Sequence, residues 1–390
     1  MKIVGNSKYQ KAANGSLILN YLRKQGGTSR SRIAEELGLQ PSTVTYIMNR
    51  LLQAGLVRES SGIGGNGSGR KAIRIELNND YGTVIGLDLQ ADYYNAVVTD
   101  IGGRVVGSFH REYDGEAKTF ERRFASVLKE VRESVRGEGP VLGAGVAIPG
   151  VVDPSGPIIE ECWTHNLQHH NLGPFLEENF SFPIVVENDA NCCAWKNLWY
   201  EGSGDHDSFI YLLPRFHRSE LLPENYPSVG IGMGLVYNGE IYQGFTHRAG
   251  EYRSLFFRQE EKVPGQLSLS LAEMRLVASD RTVRRKLVVE LLGTLILIMH
   301  ITNPRALFIG GDLAGEQDLV AGVLEGEFAP QWRRLSANGV RIEVLDDAAY
   351  DAATGAAAAM LNTLYAIPQV GNGEQNVRIW NSLLTNLIDQ

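Results

Sequence analysis

The sequence predicts an α/β body behind a small winged helix-turn-helix head, and three observations predict it. From Tyr81 onward, apolar strand-like runs alternate with helical patterns, which argues for sheets covered by helices. Three helical patterns and two short strand patterns fill the first 78 residues. Charge divides at the same place. Residues 1–78 hold 12 Lys and Arg against four acids, a net +8, which leaves −16 on the remainder of a chain whose total is −8.

A length of 390 residues exceeds one ordinary core, so two or three domains are expected. The apolar share of 43% and charged share of 21% are those of a soluble globular protein. No run of 18 or more apolar residues occurs, and MKIVGNSKYQKAANG has no signal-peptide core, so a cytoplasmic protein without a membrane partner is expected. Three cysteines, Cys162, Cys192 and Cys193, cannot build a disulfide framework, and neither CxxC nor HExxH spacing offers zinc a site. The adjacent pair, Cys192 and Cys193, are expected to be buried small hydrophobes.

In the head, Ser16–Lys24 places Leu17, Ile18, Tyr21 and Leu22 at helical spacing. Ser29 is placed to cap a second helix that Gly38 stops. A third, 41–54, opens on Pro41 and ends at Gly55, with Val44, Ile47, Leu51 and Leu52 on one face. The other face presents Ser42, Thr43, Thr45, Tyr46, Asn49 and Arg50, short hydrogen-bonding groups and a cation suited to phosphates and base edges in a major groove. LVRES and KAIRIEL then predict two strands around the loop GIGGNGSG, with Ile73, Ile75 and Leu77 sharing a face. Arg70 and Lys71 leave that loop where a wing reaches the DNA backbone or minor groove. A basic head on an acidic body directs a polyanion, double-stranded operator DNA, to the head alone.

In the body, VIGLDL predicts a buried strand, and YNAVVTD with GGRVV a hairpin turning at Asp100–Gly103. Thr119–Val135 reads as a helix, VLGAGVAIPG as another buried strand, and IVVENDANCCAWKNLWY as strand running into helix. After Pro368, Val377, Trp380, Leu383, Leu384 and Leu387 have the spacing of an amphipathic helix.

These segments, in this order, resemble the ROK family of repressors and sugar kinases. The resemblance is carried by GRK at the wing exit, GLDLQADYYNAVVTDIGGRVV, GAGVAIPGVVDPSG, VVENDANCCA, SVGIGMGLVYNGEIYQG, RAGEYRS and NPRALFIGGDL, from about residue 14 to 365. It implies an actin-like (ribonuclease H-like) two-lobed sugar-kinase fold and a homodimer or tetramer. The implied division is a DNA-binding domain at 1–78, a first lobe at 79–186 and a second at 187–366 whose last helices return to the first; the helical tail at 367–390 lies beyond the resemblance and rests on its spacing alone. It also implies that Asn188, Asp189 and Glu251 contact a sugar, Asp189 standing where the kinases keep their catalytic base. Fixed amide and carboxylate partners suit a polyol, because each buried hydroxyl must be paired.

The chain departs from the family's kinases where ATP would bind. Their phosphate turn, of the type Asp-small-Gly-Gly-Thr, is here Asp88-Leu89-Gln90-Ala91-Asp92, without the glycines that permit close backbone approach. Asp92 would repel a phosphate. Val229 and Met233 replace Thr and Gly in the second loop. The sequence after Glu251 lacks the family's His and Cys ligands, so no metal and no cofactor are expected. PRFHRSELLPENYP between FIYLL and Ser228 reads as an insert, and His247 is likewise unusual.

The expectation is a sugar-responsive DNA-binding regulator, a repressor of carbohydrate utilisation, with Asp189 a vestigial base and no catalytic residue. Two alternatives stand beside it: an ATP-dependent sugar kinase with a regulatory head, and a regulator without a small ligand that answers to a protein partner.

Overall fold

The computed structural model describes residues 7–60, 73–113, 119–135, 139–153, 156–200, 207–218, 226–257 and 265–366. The head contains α1 (Ser7–Gln25), α2 (Arg30–Glu36), α3 (Pro41–Gln53), β1 (Val57–Ser60) and β2 (Arg74–Leu77). α1 begins nine residues earlier than the apolar spacing indicated. Ser29 caps α2, its hydroxyl accepting from the Arg32 amide. On α3, Val44, Ile47, Met48 and Leu51 are buried, while Leu52 is only half-buried. β1 and β2 pair antiparallel, Val57 opposite Leu77. Ile75 and Leu77 are buried, but Ile73 is 47% exposed: it precedes β2 and does not share their buried face.

The first lobe is built on β3 (Thr83–Leu89), β4 (Tyr93–Asp100) and β5 (Val105–Glu112), followed by α4 (Phe120–Ser134) and β6 (Val141–Ile148). A small three-stranded sheet follows, β7 (Val151–Asp153), β8 (Ile158–Cys162) and β9 (Leu167–Asn171). Then come α5 (Gly173–Asn179), β10 (Ile184–Asn188) and α6 (Asp189–Tyr200). The main sheet has the order β10-β6-β3-β4-β5, with β3, β4 and β5 antiparallel and β6 and β10 added parallel. The β4–β5 turn closes where predicted, the Gly103 amide donating to Asp100 with Gly103 at φ 96°. Thr119 caps α4.

The second lobe repeats this plan. It contains β11 (Phe209–Phe216), β12 (Val229–Tyr237), β13 (Glu240–Ile241), α7 (Leu271–Leu276), α8 (Arg281–Thr302), β14 (Ala306–Ile309), α9 (Gln317–Gly326), α10 (Ala329–Ala337), β15 (Arg341–Val344) and α11 (Asp351–Tyr365). Its sheet order is β13-β12-β11-β14-β15, again three antiparallel strands extended by two parallel ones. β11 runs through Pro214, Arg215 and Phe216, which pair with Ile231, Gly230 and Val229. The start of the expected insert is therefore strand; its residues 219–225 lie outside the described residues, as does the tail at 367–390.

Two helices join the lobes. α11 packs on β3 and β6, α6 on β11 and β12, and the two pack on each other. Contact is at backbone level. A Cβ on Gly145 of β6 would strike the carbonyl of Ala356, and one on Gly355 of α11 the carbonyl of Cys192. The alanine-rich sequence AATGAAAAM lets α11 sit this close. Asp351 ties the helices to β11, accepting from Lys196 Nζ at 2.5 Å and from the Tyr211 hydroxyl at 2.7 Å. All three cysteines are buried.

Candidate functional site

A cavity of about 480 Å³ lies between the lobes and is lined by Asn188, Asp189, Glu251, Gly150, Trp163 and Arg215 among others. The fold gathers all three sugar-site candidates. Asn188 ends β10 and Asp189 begins α6. The Asn188 amide donates to the Gly150 carbonyl at 2.8 Å and its oxygen accepts from the Asn191 amide at 3.0 Å, so both ends of the side chain are oriented. Glu187, buried beneath them, accepts from the Asn188 and Asn191 nitrogens and, from the second lobe, Gln243. Burial raises its pKa. Glu251 pairs with Gly232 in an isolated bridge. Its carboxyl, recessed although the residue is exposed, is raised in pKa first by loss of water and then by Asp189.

Asp189 is 5% exposed, and burial raises its pKa despite the opposing Arg215. Arg215 is the residue that sequence reasoning missed. Alternation along β11 explains its position: Phe209, Tyr211 and Leu213 face the inter-lobe core with Arg215, while Ile210 and Leu212 face the helices of the second lobe. Reading the strand as ending before Pro214 hid this. The Arg215 guanidinium donates to Asp88 at 2.8 Å and to the Tyr93 hydroxyl at 3.1 Å, and lies 3.8 Å from Asp189. Burial alone would lower its pKa, but Asp88, Tyr93 and Asp189 hold it above the ordinary value.

The turn after β3 therefore differs from its sequence-based description. Gln90 is fully buried and donates to Asp88 at 2.6 Å. Asp92 is only half-buried, and its carbonyl accepts from the Tyr113 amide. What faces Asp88 and Asp189 is a cation from the other lobe. Val229 and Met233 are buried in the second lobe's core. His247, expected to be unusual, adopts φ 57° and lies 3.6 Å from Asp153 across the cleft. Among the described residues no group of three or more His, Cys, Asp or Glu could hold a metal, and no helix is long and apolar enough to cross a membrane.

On α3, Ser42, Thr45, Tyr46 and Asn49 are exposed, and Thr43 and Arg50 half-buried. The Tyr46 ring lies 5.0 Å from both Lys11 Nζ and the Arg50 guanidinium. Thr45 donates to its own helix at Pro41, and the Asn49 oxygen accepts from Arg30 at 3.4 Å. Arg70 and Lys71 lie outside the described residues.

The head is docked on the body. Ile18, Leu19 and Leu22 of α1 share an apolar cluster with Leu361, Leu364 and Tyr365 of α11 and with Trp199 of α6. Ser16 and Asn20 donate to the carbonyls of Ala366 and Tyr365 at 3.0 and 2.8 Å. The Arg23 guanidinium stacks 3.8 Å from the Trp199 ring centroid.

Comparison with known proteins gives two matching regions. Residues 15–58 match the winged helix-turn-helix DNA-binding model and residues 84–253 the ROK family model. The chain is 26% identical over 253 residues to the xylose repressor of Bacillus spizizenii, covering 64% of this chain and 61% of that protein. It is 26% identical over 250 residues to the DNA-binding transcriptional dual regulator NagC of Escherichia coli, covering 64% of this chain and 58% of that one. The match thus spans about three fifths of the length of these relatives. In fold it is similar to a crystal structure described as a ROK family transcriptional regulator, homolog of E. coli MLC protein, with TM-score 0.68 at 17% identity over 98% of this chain and 100% of the other. It is also similar to a ROK family glucokinase from Streptomyces griseus, with TM-score 0.53 at 18% identity over 71% and 98%.

Proposed function

We propose, from the premise that the chain joins a winged helix-turn-helix head to a ROK-family domain, that it is a sugar-responsive transcriptional regulator of the repressor type. The observation that carries this reading is α6. It starts at Asp189 in the cavity and, about 15 Å on, presents Trp199 to Arg23 of the head. One rigid element thus touches both the ligand cavity and the DNA-binding domain. A sugar pairing its hydroxyls with Asn188, Asp189 and Glu251 would bear on the first turn of α6 and on both lobes. Its effect on DNA requires different affinities for the two arrangements of the head.

The domain limits at 78, 186 and 366 belong to this reading. So does a symmetric dimer or tetramer, placing two α3 helices in successive major grooves with Ser42, Thr43, Thr45, Tyr46, Asn49, Arg50, Arg70 and Lys71 at the DNA. An operator partner places the protein in the cytoplasm. The relatives named as repressors support this role, and the kinase alternative is disfavoured by Arg215. Its guanidinium, committed to Asp88 and Tyr93 and 3.8 Å from Asp189, competes for the carboxylate that a kinase would use as its base, and this reading needs no nucleotide cofactor.

Operator affinity measured by fluorescence anisotropy, with an operator selected from random DNA, tests the reading. A cognate sugar should change affinity about 5–150-fold, the usual range of allosteric coupling. If no sugar in a broad panel changes it, the reading fails. ATP turnover with hexoses that Asp189→Asn abolishes would establish the kinase instead.

A further inference from the structure

The cavity at Asn188 and Asp189 opens at an aromatic mouth assembled from both lobes. Trp163, in the turn after β8, is 49% exposed. Its ring meets that of Tyr226, which precedes β12, at 6.3 Å between centroids and 61° between planes. Both line the cavity, with Pro149 and Pro227. A tryptophan is normally mostly covered by its own protein, and its chain neighbour Cys162 is buried. At the same rim Arg248 donates to Glu161 at 2.8 Å, and both side chains line the cavity. An apolar ring face beside charged hydrogen-bonding groups matches a pyranose, whose C–H face is apolar and whose hydroxyl edge is polar. Aromatic faces carry negative charge density and attract such polarised C–H groups. A cavity of about 480 Å³ lies within the range of about 300–1,000 Å³ for clefts that bury drug-sized ligands, and leaves room beyond one sugar ring.

We propose that the cleft takes a saccharide of at least two rings, the inner ring at Asn188, Asp189 and Glu251 and the outer ring stacked on Trp163 at the mouth. This rests on the sugar-responsive reading above and specifies its ligand class. Arg248 and Glu161 supply a donor and an acceptor for the outer ring's hydroxyls. Because Trp163 and Tyr226 belong to different lobes, an outer ring on this platform would touch both.

Isothermal titration of the full chain tests it, with glucose and xylose against cellobiose, maltose, lactose and xylobiose, in wild type, Trp163→Ala and Trp163→Phe. At least one disaccharide should bind about tenfold more tightly than its monosaccharide, the size of one good aromatic contact plus its buried area. Trp163→Ala should erase that advantage and leave monosaccharide binding within about twofold, while Trp163→Phe keeps most of it. A half-exposed residue carries little of the core, so both variants should melt close to wild type. Monosaccharides binding as tightly as every disaccharide, or a Trp163→Ala loss equal for both, would overturn the two-ring proposal and leave the sugar-responsive reading standing. Failure of every sugar to bind would overturn both.

Discussion

A guanidinium set between two carboxylates away from water must recover its hydration in fixed contacts, and Arg215 does so with Asp88 and Tyr93. Asp88 is fully buried, so removing the cation strands a charge there that water cannot reach. Arg215→Met should therefore lower the free energy of unfolding by about 3–5 kcal/mol in urea titration, the usual cost of breaking a buried pair. The double variant Asp88→Asn, Arg215→Met should recover more than half, since the fully buried partner then carries no charge, and Asp189, at the cavity wall, can be met by water. A single-variant loss below about 1 kcal/mol, the scale of a solvated surface pair, would show that the pair is not desolvated. At this scale the sequence was legible in part. Asn188, Asp189 and Glu251 were placed because their short surroundings carry a pattern. Arg215 was not, because its meaning depends on Asp88, 127 residues earlier, and on a strand running past a proline.

Elements were more legible than their partners. A cap marked α2, Pro41 and periodicity marked α3, 119–135 was read as the helical stretch that became α4, and the strand-to-helix passage into α6 was read directly from IVVENDANCCAWKNLWY. What α6 touches at its far end was not, because Arg23 and Trp199 are joined only by the tertiary fold. Arg23 is half-buried where it stacks on Trp199, and burial lowers its pKa. If α6 transmits ligand state, Arg23→Gln should leave sugar affinity and operator affinity separately close to wild type but reduce the effect of one on the other by more than half. Titrating operator DNA with and without bound saccharide measures this. Undiminished coupling in Arg23→Gln would remove α6 from the path.

Across the molecule, basic side chains and acids are sorted by lobe. Arg215, Arg218, His247 and Arg248 of the second lobe face Asp88, Glu112, Asp153 and Glu161 of the first. This girdle mixes one buried pair with rim pairs open to ions. Raising salt from about 0.1 to 1 M, which cuts the screening length from about 10 to 3 Å, should weaken only the rim and enlarge the radius of gyration measured by solution X-ray scattering. An unchanged radius would mean that the rim pairs, each worth at most about 1 kcal/mol, do not hold the cleft. The net charges of head and body were legible in composition, but this sorting was not, because it appears only when two sheets face each other.

The docking of α1 on α11 also sets an order of events during synthesis. Ser16 waits for Ala366, 350 residues later. At about 5–20 residues per second, a ribosome delivers the anchor roughly 20–70 s after the helix that needs it. The buried residues of α1, α2 and α3 belong to one cluster shared with the body, but the three helices also pack on one another, so the head can begin to fold in that interval. A nascent chain would thus own a partly folded DNA-binding module before it owns the helix that restrains it. The last helix among the described residues is the one that ties the head to the body.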